Sequence, residues 1–182
     1  MAEGKRFIYK LCLVGDGAVG KTSLIRKFVY DEFDDKYIVT FGTKTTKKVL
    51  HVTHPESSLP TEVTFLIADV MGQTDVKSIH DAYFYGASGA IIVCDITRKE
   101  TLLNIENWVE RIRHVVGEIP LVCLGNKADL EQLAMFEYKD LEGVTEKYDL
   151  PTFLASAKTG ENVEESFRRL AELILFKKTG QG

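Results

Sequence analysis

Cysteine is scarce and odd in number: Cys12, Cys94 and Cys123 are the only three in 182 residues. Three thiols cannot pair into a disulfide framework, and each lies inside an apolar run. They read as buried, reduced thiols suited to a cytoplasmic protein. Long hydrophobic runs are missing too. None approaches the roughly eighteen residues of a membrane span, and Met1 to Arg6 lacks the apolar stretch of a secretory signal. Basic charge is in deficit: 23 Lys and Arg stand against 27 Asp and Glu, for a net −4. That balance excludes a broad nucleic-acid-binding face, though not a local pocket for a polyanion. His51, His54, His80 and His114 are scattered and make no metal-ligand pattern. With four prolines and no linker, repeat or low-complexity tract, nothing divides the chain. The expected layout is a tail over 1–6, one domain over 7–176 and a tail over 177–182.

What is present is an alternation of strand-length apolar runs and helical patterns. Phe7 to Val14 reads as a buried strand ending at Gly15, and Lys21 to Tyr30 as the helix after it. Residues 44–53 and 62–69 read as two strands joined by a polar hairpin loop over 54–60. Ala90 to Cys94 and Leu121 to Gly125 are near-continuous apolar runs, as expected of strands covered on both faces. Leu102, Ile105, Val109, Ile112 and Val116 recur at helical spacing until Gly117. Phe153 and Leu154 end a last short strand. Asn162 is a candidate N-cap for a final helix marked by Phe167, Leu170, Ala171, Ile174 and Leu175. Strands alternating with helices imply a mostly parallel sheet with helices on both faces, and the hairpin makes one edge antiparallel. In such a sheet ligands bind beyond the carboxyl ends of the strands.

Polar motifs sit at those ends. Gly15-Asp16-Gly17-Ala18-Val19-Gly20-Lys21-Thr22, followed by Ser23, leaves a strand and opens a helix, the context a phosphate-binding loop requires. Its glycines let backbone N–H groups converge on phosphate oxygens at the positive end of a helix. Lys21 can reach β- and γ-phosphates, and the Thr22 hydroxyl can ligate Mg²⁺. Asn126-Lys127-Ala128-Asp129 follows the strand Leu121 to Gly125. The Asp129 carboxylate can accept from both N1–H and the 2-amino group of guanine. Against adenine it would face a lone pair, a mismatch that discriminates by roughly 10⁴–10⁵. Lys127 can lay its stem along the base, Asn126 can tie this turn to the phosphate loop, and Ser156-Ala157-Lys158 offers an N–H for guanine O6 and a second stem. Trp108, among apolar neighbours on a helix, reads as packing.

In these motifs and their order the chain resembles the small GTPases of the Ras superfamily over about residues 7–176. It is most like Rab, with a Rho-like phosphate loop. The resemblance implies a P-loop NTPase three-layer sandwich, a six-stranded mostly parallel sheet with one antiparallel edge strand and helices on both faces. It makes about 33–43 switch I: Phe33 against the guanine, Tyr37 over the phosphates, Thr40 on Mg²⁺ and the γ-phosphate. Thr40 also reads as a β-branched residue entering a strand, since Thr43, Thr45 and Thr46 follow. Asp69-Val70-Met71-Gly72-Gln73, within about 69–78, resembles the Asp-x-x-Gly-Gln of switch II. There Asp69 would hold Mg²⁺, the Gly72 N–H would meet the γ-phosphate and Gln73 would orient the attacking water. Val70-Met71 departs from the family's smaller pair.

The implied activity is a GDP/GTP switch with Mg²⁺ that hydrolyses GTP slowly, with Lys21 and Gln73 as the catalytic pair. Effector proteins, an exchange factor and a GTPase-activating protein are the implied partners of a monomer, with no nucleic acid among them. Phe176 to Gly182 contains no cysteine, and Lys177-Lys178 is too short for a stable membrane anchor, so the expected location is cytoplasmic. Two alternatives stay open from the residues: an ATP-using P-loop enzyme, and a nucleotide-locked scaffold that no longer hydrolyses.

Overall fold

The computed structural model describes residues 5–34, 44–54, 58–69 and 77–179. Among them, six strands form one sheet: β1 (Arg6–Val14), β2 (Lys44–Thr53), β3 (Pro60–Asp69), β4 (Gly89–Asp95), β5 (Leu121–Asn126) and β6 (Thr152–Leu154). Their order is β2-β3-β1-β4-β5-β6, parallel except for β2 against β3. The antiparallel edge is therefore where the hairpin reading puts it. That hairpin is tighter than the sequence suggests: Thr53 pairs with Pro60 and Val52 with Thr61, so β3 starts two residues early. Proline is tolerated at a strand's first residue, where its missing N–H breaks no interior ladder bond.

Helices cover both faces. On one side α1 (Lys21–Tyr30) and α6 (Val163–Thr179) pack Leu24, Phe28, Phe167 and Leu170 against Leu11, Leu13, Phe65 and Ile91. The Phe28 and Phe167 rings stack 3.8 Å apart, fixing one helix against the other. On the other side lie α2 (Lys77–Phe84), α3 (Lys99–Leu103), α4 (Ile105–Val116) and α5 (Tyr138–Thr145), over Cys12, Val14, Ile92, Cys94 and Cys123. All three thiols are buried and unpaired in disulfides. Burial pushes the Cys12 thiol up to about 11, and Cys94 is raised by its contact with Cys123, so both stay protonated.

Two local expectations are corrected. The helical pattern over residues 102–116 divides into α3 and α4 at Asn104, whose backbone stays near-helical at φ −84° and ψ −7° and whose side chain bonds Asp16. Asn162 precedes α6, but its φ is 53° and its amide donates to Leu154 O at 2.8 Å instead of capping the helix. Gly117 does end α4, at φ 75°, with its N–H on Arg113 O. Among the described residues no helix is long and apolar enough to cross a membrane.

Candidate nucleotide-binding site

β1 ends at Val14, and the chain then makes a loop whose backbone few residues permit. Gly15 has φ 143°, and a Cβ there would lie 2.1 Å from Val93 O. Gly20 has φ 100°, and its Cβ would lie 2.2 Å from Asn126 Nδ2. Both positions are closed to any side chain, so Gly15 and Gly20 are fixed by geometry. Ala18 between them also takes a left-handed φ of 63°. Lys21 opens α1 and is buried; its ammonium folds back to donate to Gly15 O and Asp16 O, each at 2.8 Å. Burial pushes its pKa down to about 8, against the opposing pull of Asp69 and Asp16. One residue on, Thr22 Oγ1 donates to Asp69 Oδ2 at 2.5 Å, joining the start of α1 to the end of β3. A hydroxyl and a carboxylate so close are the hard oxygen donors Mg²⁺ takes, so this pair fits the ion. Ser23 follows, half-buried.

A second strand end meets this loop. Asn126 closes β5, buried, and its side-chain amide is used twice: Nδ2 donates to Val19 O at 2.8 Å and Oδ1 accepts from Ala157 N at 3.2 Å. One side chain thus ties the phosphate loop to the segment 156–158. Lys127 takes φ 71°, and its ammonium lies 2.6 Å from Asp95 Oδ2, a fully buried carboxylate at the end of β4. Asp129 is exposed and accepts from Ser156 Oγ at 2.6 Å. Ser156 is buried and its Oγ also accepts from Thr159 N, so the carboxylate is held by an anchored hydroxyl. Lys158 is exposed beside it.

A sequence profile described as the Ras family matches residues 10–176. The chain belongs to the Ras family. It is a small GTPase of Rab-like sequence. It is 34% identical to Ras-related protein Rab-13 of Rattus norvegicus over the whole chain and 87% of that protein. It is 31% identical to Rab-27A of Canis lupus familiaris, over 93% of the chain and 79% of that protein. Rab-21 of Bos taurus is also 31% identical, over 96% and 76%.

Within this GTPase the fold brings Gly15 to Ser23, Asp69, Asn126, Lys127, Asp129 and Ser156 to Lys158 to one edge of the sheet. Phe33 lies just past α1, exposed. Tyr37, Thr40, Val70, Met71, Gly72 and Gln73 lie outside the described residues, and with them most of both switch segments.

Four residues outside the motifs reach the same edge. Asp95 anchors Lys127. Arg98 donates to Gly17 O at 2.7 Å. Asn104 and Trp108 donate to the Asp16 carboxylate at 2.8 and 3.0 Å. Trp108 does pack against the core, as its neighbours imply, but its indole N–H has this second use. The signal available in sequence was position: Asp95 to Arg98 follow a strand end directly.

Proposed function

We propose that this small GTPase binds GDP and GTP with Mg²⁺, hydrolyses GTP slowly alone, and signals through switch segments at about 33–43 and 69–78. The observation that carries the proposal is the Asn126 amide, which bonds the phosphate loop and the 156–158 segment at once. A nucleotide has its polyphosphate and its base separated by a ribose, and this side chain holds the two matching sub-sites in one register.

Lys21 then takes β- and γ-phosphate oxygens in place of the Gly15 and Asp16 carbonyls. Thr22, with Thr40 and Asp69, holds Mg²⁺, which when bound neutralises charge across the β- and γ-phosphates. Asp129 accepts from guanine N1–H and the 2-amino group, Ala157 N–H meets O6, and the stems of Lys127 and Lys158 with Phe33 flank the base. Tyr37 covers the phosphates, the Gly72 N–H meets the γ-phosphate, and Gln73 orients water for in-line attack. Loss of the γ-phosphate releases Thr40 and Gly72, and the two segments relax. Effectors read that change. An exchange factor and an activating protein set its timing, the latter supplying an arginine worth roughly 10³–10⁵ in rate. The protein acts as a monomer in the cytoplasm, where three buried free thiols are chemically at home.

The test is competition for labelled GDP. GTP should displace it and ATP should not, and Asp129→Asn should exchange guanine preference for xanthine, whose 2-oxo group accepts from an amide. Equal displacement by ATP would remove the guanine assignment. Phosphate release followed over hours, slowed by Gln73→Leu, tests hydrolysis; intact GTP in both proteins would leave a nucleotide-locked scaffold.

A further inference from the structure

The phosphate loop is gripped from outside by three side chains that none of its motifs contain. Arg98 lies at the N-terminus of α3 and its Nη1 donates to Gly17 O at 2.7 Å, across 81 residues of sequence. A peptide unit is planar and trans, so the carbonyl of residue 17 and the N–H of residue 18 point in opposite directions. Fixing Gly17 O toward Arg98 therefore fixes the Ala18 N–H away from it. The same reasoning holds two peptides later, where Asn126 takes Val19 O and so turns the Gly20 N–H the other way. Ala18 is also the loop's one non-glycine residue at positive φ, a strained conformation that persists only where the surroundings impose it. The guanidinium sits on the peptide that enters this strained residue. Next to it, the Asp16 carboxylate accepts from Asn104 Nδ2 and Trp108 Nε1, which stops the loop swinging away from α3 and α4. Glu100 accepts from Arg98 Nε at 2.9 Å and orients the fork.

We propose that Arg98 is a positioning residue for GTP hydrolysis, aiming the Ala18 N–H at the terminal phosphates while Asn104 and Trp108 hold the adjoining Asp16. The inference rests on the reading of this loop as the phosphate site. Arg98 is half-exposed and outside the hydrophobic cores, so removing it leaves the fold intact.

The experiment compares wild type, Arg98→Ala and Arg98→Lys, each loaded with GDP, GTP or a non-hydrolysable GTP analogue. A hydrogen bond from a charged donor is among the stronger contacts this loop makes. Arg98→Ala should therefore slow single-turnover hydrolysis about tenfold or more, tenfold being about 1.4 kcal/mol. It should speed release of the analogue about fivefold relative to release of GDP, with GDP affinity within about threefold of wild type. Arg98→Lys, which keeps a charged donor for the single carbonyl, should recover most of both effects. Trp108 is the chain's one tryptophan, and its emission reports on Asp16 directly. The emission difference between the GDP and analogue forms should shrink in Arg98→Ala and return in Arg98→Lys. Hydrolysis by Arg98→Ala within about twofold of wild type overturns the proposal. So does a GDP affinity that falls as far as the rate, since the arginine would then support the loop as a whole. A wild type that fails to bind GDP overturns the site assignment itself, whatever the variants do.

Discussion

Lys21 shows how a residue's surroundings set its chemistry before any ligand arrives. Its ammonium is buried beneath the loop, bonded to two carbonyls, and its pKa is lowered from 10.5 to about 8 mainly by loss of water. The folded value is below the unfolded one, so across that interval the unfolded chain holds a proton that the folded chain has released. Stability of the nucleotide-free protein therefore rises with pH from about 8 to 10.5. Phosphates act the other way, because nearby negative charge favours the ammonium. Binding of GDP should accordingly take up a proton. Calorimetry in two buffers of different ionisation enthalpy should give more than about half a proton per nucleotide at roughly pH 8.5 and about a quarter of one at roughly pH 7.5, both well above the nucleotide's own phosphate pKa of about 6. Lys21→Ala should abolish the difference. Equal uptake in that variant would assign the proton elsewhere.

Elements were legible where one principle dominated. β4 and β5 are buried on both faces and read as continuous apolar runs, and α1 keeps the bounds its pattern announces. α5 was illegible because Tyr138–Thr145 contains a glycine and buries only Leu141 and Thr145, leaving almost no stripe. The contact of Asn104 was illegible for a different reason: its partner Asp16 is 88 residues away, and local periodicity carries no such information. The site divides in the same way. Fixed spacing placed Lys21, Asn126 and Asp129 at strand ends as candidates, whereas Arg98 and Asp95 reach that edge through partners that only the fold brings near. Packing at α5 gives a prediction of its own. A Cβ on Gly125 would lie 2.9 Å from Leu154 Cδ2, 3.0 Å from Leu141 Cδ2 and 3.2 Å from Ile96 Cγ2. These are side-chain ends, so the core yields instead of breaking, and Gly125→Ala should cost about 1–3 kcal/mol. That corresponds to a fall of roughly 2–12 °C in melting temperature, and an unchanged Tm would mean the three side chains repack freely.

At the scale of the molecule, two hydrophobic layers share only the sheet, and the nucleotide edge is where parts of both meet. Thr22 belongs to α1 on one face; Asp16 is held by Asn104 and Trp108 from the other; Asp69 ends β3 between them. A ligand bound there stabilises contacts between layers, so its affinity should appear as stability of the entire domain. At about a thousand times its Kd, GDP with Mg²⁺ contributes about 4 kcal/mol, or roughly 8–16 °C in Tm for a chain this long. The proposed metal pair makes part of this removable. Chelating Mg²⁺ should lower the Tm of the GDP-bound protein and speed GDP release. Asp69→Asn should reproduce both effects, because an amide cannot supply the carboxylate charge opposite Thr22. The two perturbations act on one interaction, so they should not add: chelator should change little in the Asp69→Asn protein. Full additivity of chelation and substitution would place the ion elsewhere and leave Thr22 and Asp69 as a structural hydrogen bond between α1 and β3.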